Sequence, residues 1–140
     1  MIRAASCVFA ILGLSACAQA VDPKPTRAPV AIDVGDLSQH WVHSSEEERS
    51  GESVEVYRPA ASRTFPPSRF RMAYKFAPGG GCELYFLSPD DAHRFEPCEW
   101  SIGPGDEPIL RVTADGTTTS FRIVELSMNV LRLVRVRAAP

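Results

Sequence analysis

Few side chains in this 140-residue chain stand at spacings that do chemistry, and each also has an ordinary structural reading. His40 and His43 lie three apart and are followed by Glu46, Glu47 and Glu48, the nearest approach to a metal-ligating set. Zinc ligands sit on fixed geometry with supporting hydrogen bonds. This stretch reads instead as an acidic, solvated loop, so no metal is expected. Tyr57, Arg58, Arg69 and Arg71 are candidates for holding a ligand's carboxylate or phosphate, because guanidinium forks match such groups. The favoured alternative pairs these arginines with Glu46, Glu47 and Glu48, fixing the first loop against the domain. Ser44, Ser45 and Ser68 have no G-x-S-x-G elbow around them, and the histidines lack an orienting acid. Asp90 and Asp91 fall in a turn-forming cluster, where aspartate hydrogen-bonds its own backbone. No catalytic residue and no cofactor are expected.

The cysteines are more informative. Met1-Ile2-Arg3 is a short positive segment, residues 4–13 are apolar apart from Ser6, and Leu14-Ser15-Ala16-Cys17 follows directly. The apolar run is roughly 15 residues, short of the about 20 that span a bilayer. The pattern resembles the lipobox of bacterial lipoprotein signal peptides. That resemblance implies removal of residues 1–16 and acylation of Cys17, which partners the lipid bilayer. Each buried methylene contributes about 0.8 kcal/mol, so several acyl chains anchor a domain stably. Ala18 in place of aspartate implies the periplasmic side of the outer membrane. A rival cut after Ala18-Gln19-Ala20, the A-x-A form, would discard Cys17 and release a soluble periplasmic protein. With Cys7 lost in the signal and Cys17 acylated, Cys82 and Cys98 remain. An isolated pair in an oxidising compartment reads as a disulfide. The midpoint between them is Asp90, inside Ser88-Pro89-Asp90-Asp91-Ala92, so a hairpin turning there sets the two cysteines opposite one another.

Size and charge narrow the function further. Residues 17–140 suffice for one domain. The formal net charge of −2, more negative once Arg3 is removed, argues against a nucleic-acid partner. No glycine-rich phosphate loop follows a strand.

The remaining pattern is that of short strands. Residues 17–34 carry Pro23, Pro25 and Pro29 without periodicity and read as a tether. The domain proper is expected over 35–140. Alternation over 53–57 and 69–76 sets Val54 with Val56, and Phe70 with Met72, Tyr74 and Phe76, each set on one face. Further strands are expected over 82–87, 94–102, 109–114, 117–126 and 130–136. They are divided by the turn at Pro78-Gly79-Gly80-Gly81, the Pro-Asp-Asp turn at 89–91, Gly103-Pro104-Gly105, Asp115-Gly116 and Ser127-Met128-Asn129. Pro97 lacks a ladder donor, which predicts an edge or a bulge there. Residues 37–48 allow one short helical turn and a first strand near Trp41. Seven or eight antiparallel strands with hairpin connections point to an all-β up-and-down barrel or sandwich.

Leu37, Trp41-Val42-His43-Ser44, Glu46-Glu47-Glu48, Val56-Tyr57-Arg58-Pro59, Pro66-Pro67-Ser68-Arg69-Phe70-Arg71, Phe76 before a glycine turn, and Trp100 together resemble small bacterial lipocalin-like domains. The resemblance covers residues 36–136 and implies a single antiparallel barrel. It departs from the lipocalin signature where Gln39 stands in place of the glycine two residues before Trp41. Arg132 and Arg135 are candidates for the late arginine that packs over that tryptophan. Trp41 and Trp100 are expected in the barrel floor. The expected role is a non-catalytic binding or accessory module of the envelope, partnered by a small apolar ligand or an envelope protein. Two alternatives are a periplasmic protease inhibitor with a mobile N-terminal segment, and an assembly protein acting through an exposed strand edge at Pro97. A cavity lined by Phe70, Met72 and Tyr74 would favour the small ligand.

Overall fold

The computed structural model describes residues 32–87, 93–105 and 107–137. The signal segment, Cys17, the cut after Ala20, residues 17–31 of the tether and the 88–92 turn with Asp90 and Asp91 lie outside the described residues.

Eight antiparallel strands close into one barrel: β1 (His40–His43), β2 (Val54–Pro59), β3 (Ala73–Phe76), β4 (Gly81–Leu87), β5 (His93–Ile102), β6 (Ile109–Ala114), β7 (Thr117–Ser127) and β8 (Val130–Val136). A four-residue helix, α1 (Val34–Leu37), precedes them, and a 3-10 turn, Ser45–Glu47, follows β1. Strand alternation sends one side chain in two into the barrel. On β7 and β8 this buries Phe121, Ile123, Leu131 and Leu133 together in the core, opposite exposed Arg122 and Arg132. Asp115 and Gly116 both take positive φ, 47° and 70°, which makes the tight β6–β7 hairpin that the Asp-Gly pair predicts. Val124 is an extra residue in β7, where the register to β8 shifts between Ile123 and Glu125.

From β3 to β8 each strand pairs with the next, but the order around the barrel is β1-β2-β8-β7-β6-β5-β4-β3. β1 therefore lies between β2 and β3. Val42 opposes Ala73, and Trp41 opposes both Pro59 and Tyr74. Residues 60–72 run around the outside of β1 from its His40 end to its His43 end. This corrects the strand expected over 69–76, of which only Ala73–Phe76 is in the ladder. Arg71 explains the earlier break: its guanidinium donates to His43 O, Pro66 O and Glu46 Oε2, holding the chain as a loop.

α1 closes one end. Leu37 is fully buried, and the indole of the fully buried Trp41 donates to Leu37 O at 2.9 Å. Gln39 Nε2 donates to Asp36 O and to Met128 O, tying the plug to the β7–β8 turn. Neither candidate arginine packs over Trp41. Arg132 faces outward to Glu125, and Arg135 lies over the Phe121 ring at 5.3 Å. Trp100 packs against the core beside Phe76, and its indole donates to Ala77 O and Gly81 O.

Cys82 and Cys98 are directly opposed on β4 and β5, with Cα atoms 4.8 Å apart, and are joined by a disulfide. Pro97 causes no bulge, since the β4–β5 register is continuous from Gly81 to Leu87. Trp100 N donates to Gly80 O on the β4 side. By alternation the Pro97 nitrogen points to the β6 side, where the β5–β6 ladder has already ended at Glu99 and Thr113. The residue without a donor occupies the place without an acceptor.

Candidate functional site

Among the described residues, no helix caps the end opposite α1. Here β5 outruns β6, and a cleft of about 770 Å³ enters the barrel between them. Its apolar wall comes from Leu84 and Phe86 of β4 and Val112 and Ala114 of β6. Arg94 and Glu96 of β5, ion-paired to each other, face the same space, as do Thr117 and Thr119 of β7 and Asp115 of the hairpin. Tyr74 contributes to the lining from β3. Phe70 and Met72 do not line it: Phe70 stacks on Tyr85, and Met72 Sδ meets the Tyr57 hydroxyl at 3.7 Å.

Beneath this lining is a polar cluster. Tyr57 is fully buried, and its hydroxyl donates to Glu55 Oε2 at 2.8 Å. Arg135 Nε stands 3.7 Å from Glu55 Oε1. The Tyr74 ring lies 5.6 Å from that of Tyr57. Burial is the main cause that pushes the Tyr74 phenol up to about 12, and burial with neighbouring Tyr74 and Glu55 raises Tyr57 well above its ordinary value. Both phenols are therefore neutral hydrogen-bond donors at physiological pH. A second, smaller depression of about 270 Å³ shares Thr119 with the lining of the cleft and is lined also by Thr118, Ser120, Arg135 and Arg137.

The four residues singled out as a possible anion site do not converge. Tyr57 points into the barrel, whereas Arg58 points out to the 3-10 turn, donating to both Glu47 oxygens and to Asn129 O. Arg71 binds Glu46, and Arg69 is exposed, with no ion pair among the described residues. Arg63, which the sequence reading passed over, completes the cluster by pairing with both Glu46 and Glu47. The guanidinium groups of Arg63 and Arg71 both lie over the Phe65 ring, at 5.5 and 5.2 Å from its centre. The buried Ser44 hydroxyl donates to Glu47 Oε1 at 2.9 Å. Arg58, with Ser44 and Arg63, holds the Glu47 carboxyl down at about 2, and Arg71 lowers Glu46. The arrangement clasps the 60–72 segment to the turn after β1.

His40 and His43 lie in strand β1 and not in a solvated loop, because residues 40–43 are paired on both sides. They occupy opposite faces. His43 packs on Tyr57 and meets Glu48 Oε1 at 2.5 Å, while His40 lies outside against Phe95. Burial and the Lys75 ammonium lower the His40 pKa. Among the described residues no group of three or more His, Cys, Asp or Glu is placed to hold a metal ion.

Sequence reasoning missed Arg94, Glu96 and Arg137 as mouth residues. Their alternation with Phe95, Pro97 and Val136 put them on one face, but which face lines a cleft depends on barrel closure. No family model, no curated protein and no solved structure matches the chain.

Proposed function

We propose that this is a lipocalin-like lipoprotein domain that binds a small, partly apolar molecule in the open end of its barrel without transforming it. Acylated Cys17 would hold it on the periplasmic side of the outer membrane. The cleft of about 770 Å³ carries the reading. Its size falls within the about 300–1,000 Å³ of small-molecule sites, and its make-up is the usual one of an apolar wall with a few placed polar groups. The envelope assignment rests on Leu14-Ser15-Ala16-Cys17. Partner recognition by strand addition along the β5 edge has less support, because Pro97 removes a donor from that edge.

Native mass spectrometry of the mature protein, taken from its own envelope, tests the binding reading. A retained small molecule, lost when Ala114→Trp fills the cleft, is the expected outcome. A retained protein, or a small molecule that survives the Trp substitution, refutes it. Cys17→Ser is expected to release the protein from the membrane fraction. An unchanged distribution would instead favour the cut after Ala20.

A further inference from the structure

The connection from β2 to β3 is longer than its path. It runs from the His40 end of β1 to the His43 end and crosses from one neighbour of β1 to the other. Four residues of strand and two strand spacings make that path about 16 Å, which about five extended residues span. Residues 60–72 exceed this more than twofold, and long connections inside a small domain are commonly functional. The surplus is not slack. Ser62 Oγ donates to Pro59 O at 2.7 Å, Arg63 is held by Glu46 and Glu47, and Arg71 braces Pro66 O against His43 O. Phe65 lies beneath the Arg63 and Arg71 guanidinium groups, and Phe70 stacks on Tyr85 at 6.0 Å.

Between these two anchored rings Pro66, Pro67, Ser68 and Arg69 are all exposed. An extended segment lying flat on the barrel covers every second side chain, so this one stands off the surface. No turn interrupts residues 64–68. Phe65 and Pro66 each precede a proline, which steers both from helical backbone into the extended, polyproline II region. Of the three arginines in the connection, Arg63 and Arg71 are ion-paired, whereas Arg69 has no ion pair among the described residues.

We propose that residues 66–69 are a docking ridge for a partner protein with an aromatic-lined groove and a carboxylate beside it. Aromatic grooves take polyproline II segments by their side-chain faces, with no need of backbone donors. Strand addition is disfavoured at this point, because Pro66 and Pro67 have no N–H to give. The Arg69 guanidinium supplies the fork that a carboxylate fits. The clasp supplies preorganisation: the ridge is already held in one shape, so little ordering cost falls on binding. This surface lies outside the barrel and is independent of the cleft.

So short a ridge makes a contact well below the about 1,200 Å² of stable complexes, and the complex is transient. Photo-crosslinking in the cells that make the protein is therefore the test. The full chain carries benzoylphenylalanine in place of Thr64, exposed beside the ridge, or in place of Arg122, exposed on β7, as the control. One protein adduct is expected from the first and none from the second. Arg69→Glu should cut the yield about tenfold or more, in line with the loss of a charged hydrogen bond, while Arg69→Lys keeps part of it. Pro66→Ala with Pro67→Ala should cut it as well. Reversing the partner's carboxylate to lysine should restore the Arg69→Glu adduct, which a merely damaged loop does not allow. An adduct to lipid alone, the same adduct from both positions, a yield indifferent to Arg69→Glu, or no adduct overturns the inference and leaves the cleft reading standing.

Discussion

Replacing Glu47 by glutamine removes one charge from the centre of the clasp and leaves its shape nearly intact. In the folded chain the Glu47 carboxylate accepts from Ser44 Oγ at 2.9 Å, Arg58 Nη2 at 2.5 Å and Arg63 Nη1 at 2.5 Å. Its pKa lies at about 2 against an ordinary 4.5. At about 1.4 kcal/mol per unit, that difference sets a ceiling of about 3 kcal/mol on the stability the charge supplies. The side chain is 24% exposed, so solvent screening reduces the expected loss to about 1–2 kcal/mol at neutral pH. The sign follows from the depressed pKa. The contribution is complete above the unfolded value of 4.5 and is lost as pH falls through about 2, below which both forms carry a neutral group. Urea unfolding of wild type and Glu47→Gln, followed by the fluorescence of Trp41 and Trp100, should thus differ most near pH 7 and converge as pH falls through about 2. Glu46 is depressed in the same direction and shares Arg63 with Glu47, so the Glu46→Gln variant and the double variant are run beside it to separate the two. A difference below about 0.5 kcal/mol at neutral pH, or one that does not change with pH, would refute the reasoning and reduce the clasp to an ordinary surface ion pair.

Joint substitution Cys82→Ala and Cys98→Ala opens a loop with a sequence separation of 16 and should cost about 3 kcal/mol by the chain-entropy relation; an unchanged urea midpoint would contradict it. Alkaline absorbance titration should show Tyr74 ionising only near 12 and Tyr57 well above its ordinary range. Because both phenols are raised above their unfolded value of 10, their stabilising contribution is full below that pH and is lost as pH climbs toward about 12; early ionisation of all the phenols would place these rings in water. Leu37→Ala, in the fully buried plug, should destabilise by about 2–5 kcal/mol on thermal melting, and a loss under about 1 kcal/mol would mean that α1 does not seal the barrel.

Much of the framework is legible because it is local. Alternating Leu110 and Val112, or Phe121 and Ile123, declares a strand with one buried face, and Asp115-Gly116 declares the hairpin that joins them. The opposition of Cys82 and Cys98 follows from counting to the middle of a turn. Where local pattern misled, a distant partner had overruled it. Residues 69–72 alternate like a strand, but Arg71 is drawn to Glu46 and His43 O, 25 and 28 residues away in sequence. Gln39 reads as a missing glycine, yet it is the side chain that binds the plug to Met128 O, 89 residues on. Arg135 suggested a cap for Trp41, but its register opposite Phe121 sets it toward the other end of the barrel.

The sequence by itself determined an all-β domain, the positions of its turns, the cysteine pairing and the expectation of an anchored N-terminus. Period-two alternation and turn chemistry are properties of adjacent residues, and they need no knowledge of the remainder of the chain. Tertiary structure decided the interchange that sets β1 between β2 and β3, the clasp of Arg58, Arg63 and Arg71 on the acidic turn, and the cleft at the open end. Alternation divides a strand into two faces but does not tell which face is enclosed or which strand lies beside it. Only closure of the barrel fixes both, and with them the convergence of Leu84, Arg94, Val112, Thr119 and Arg135 from five strands at one mouth.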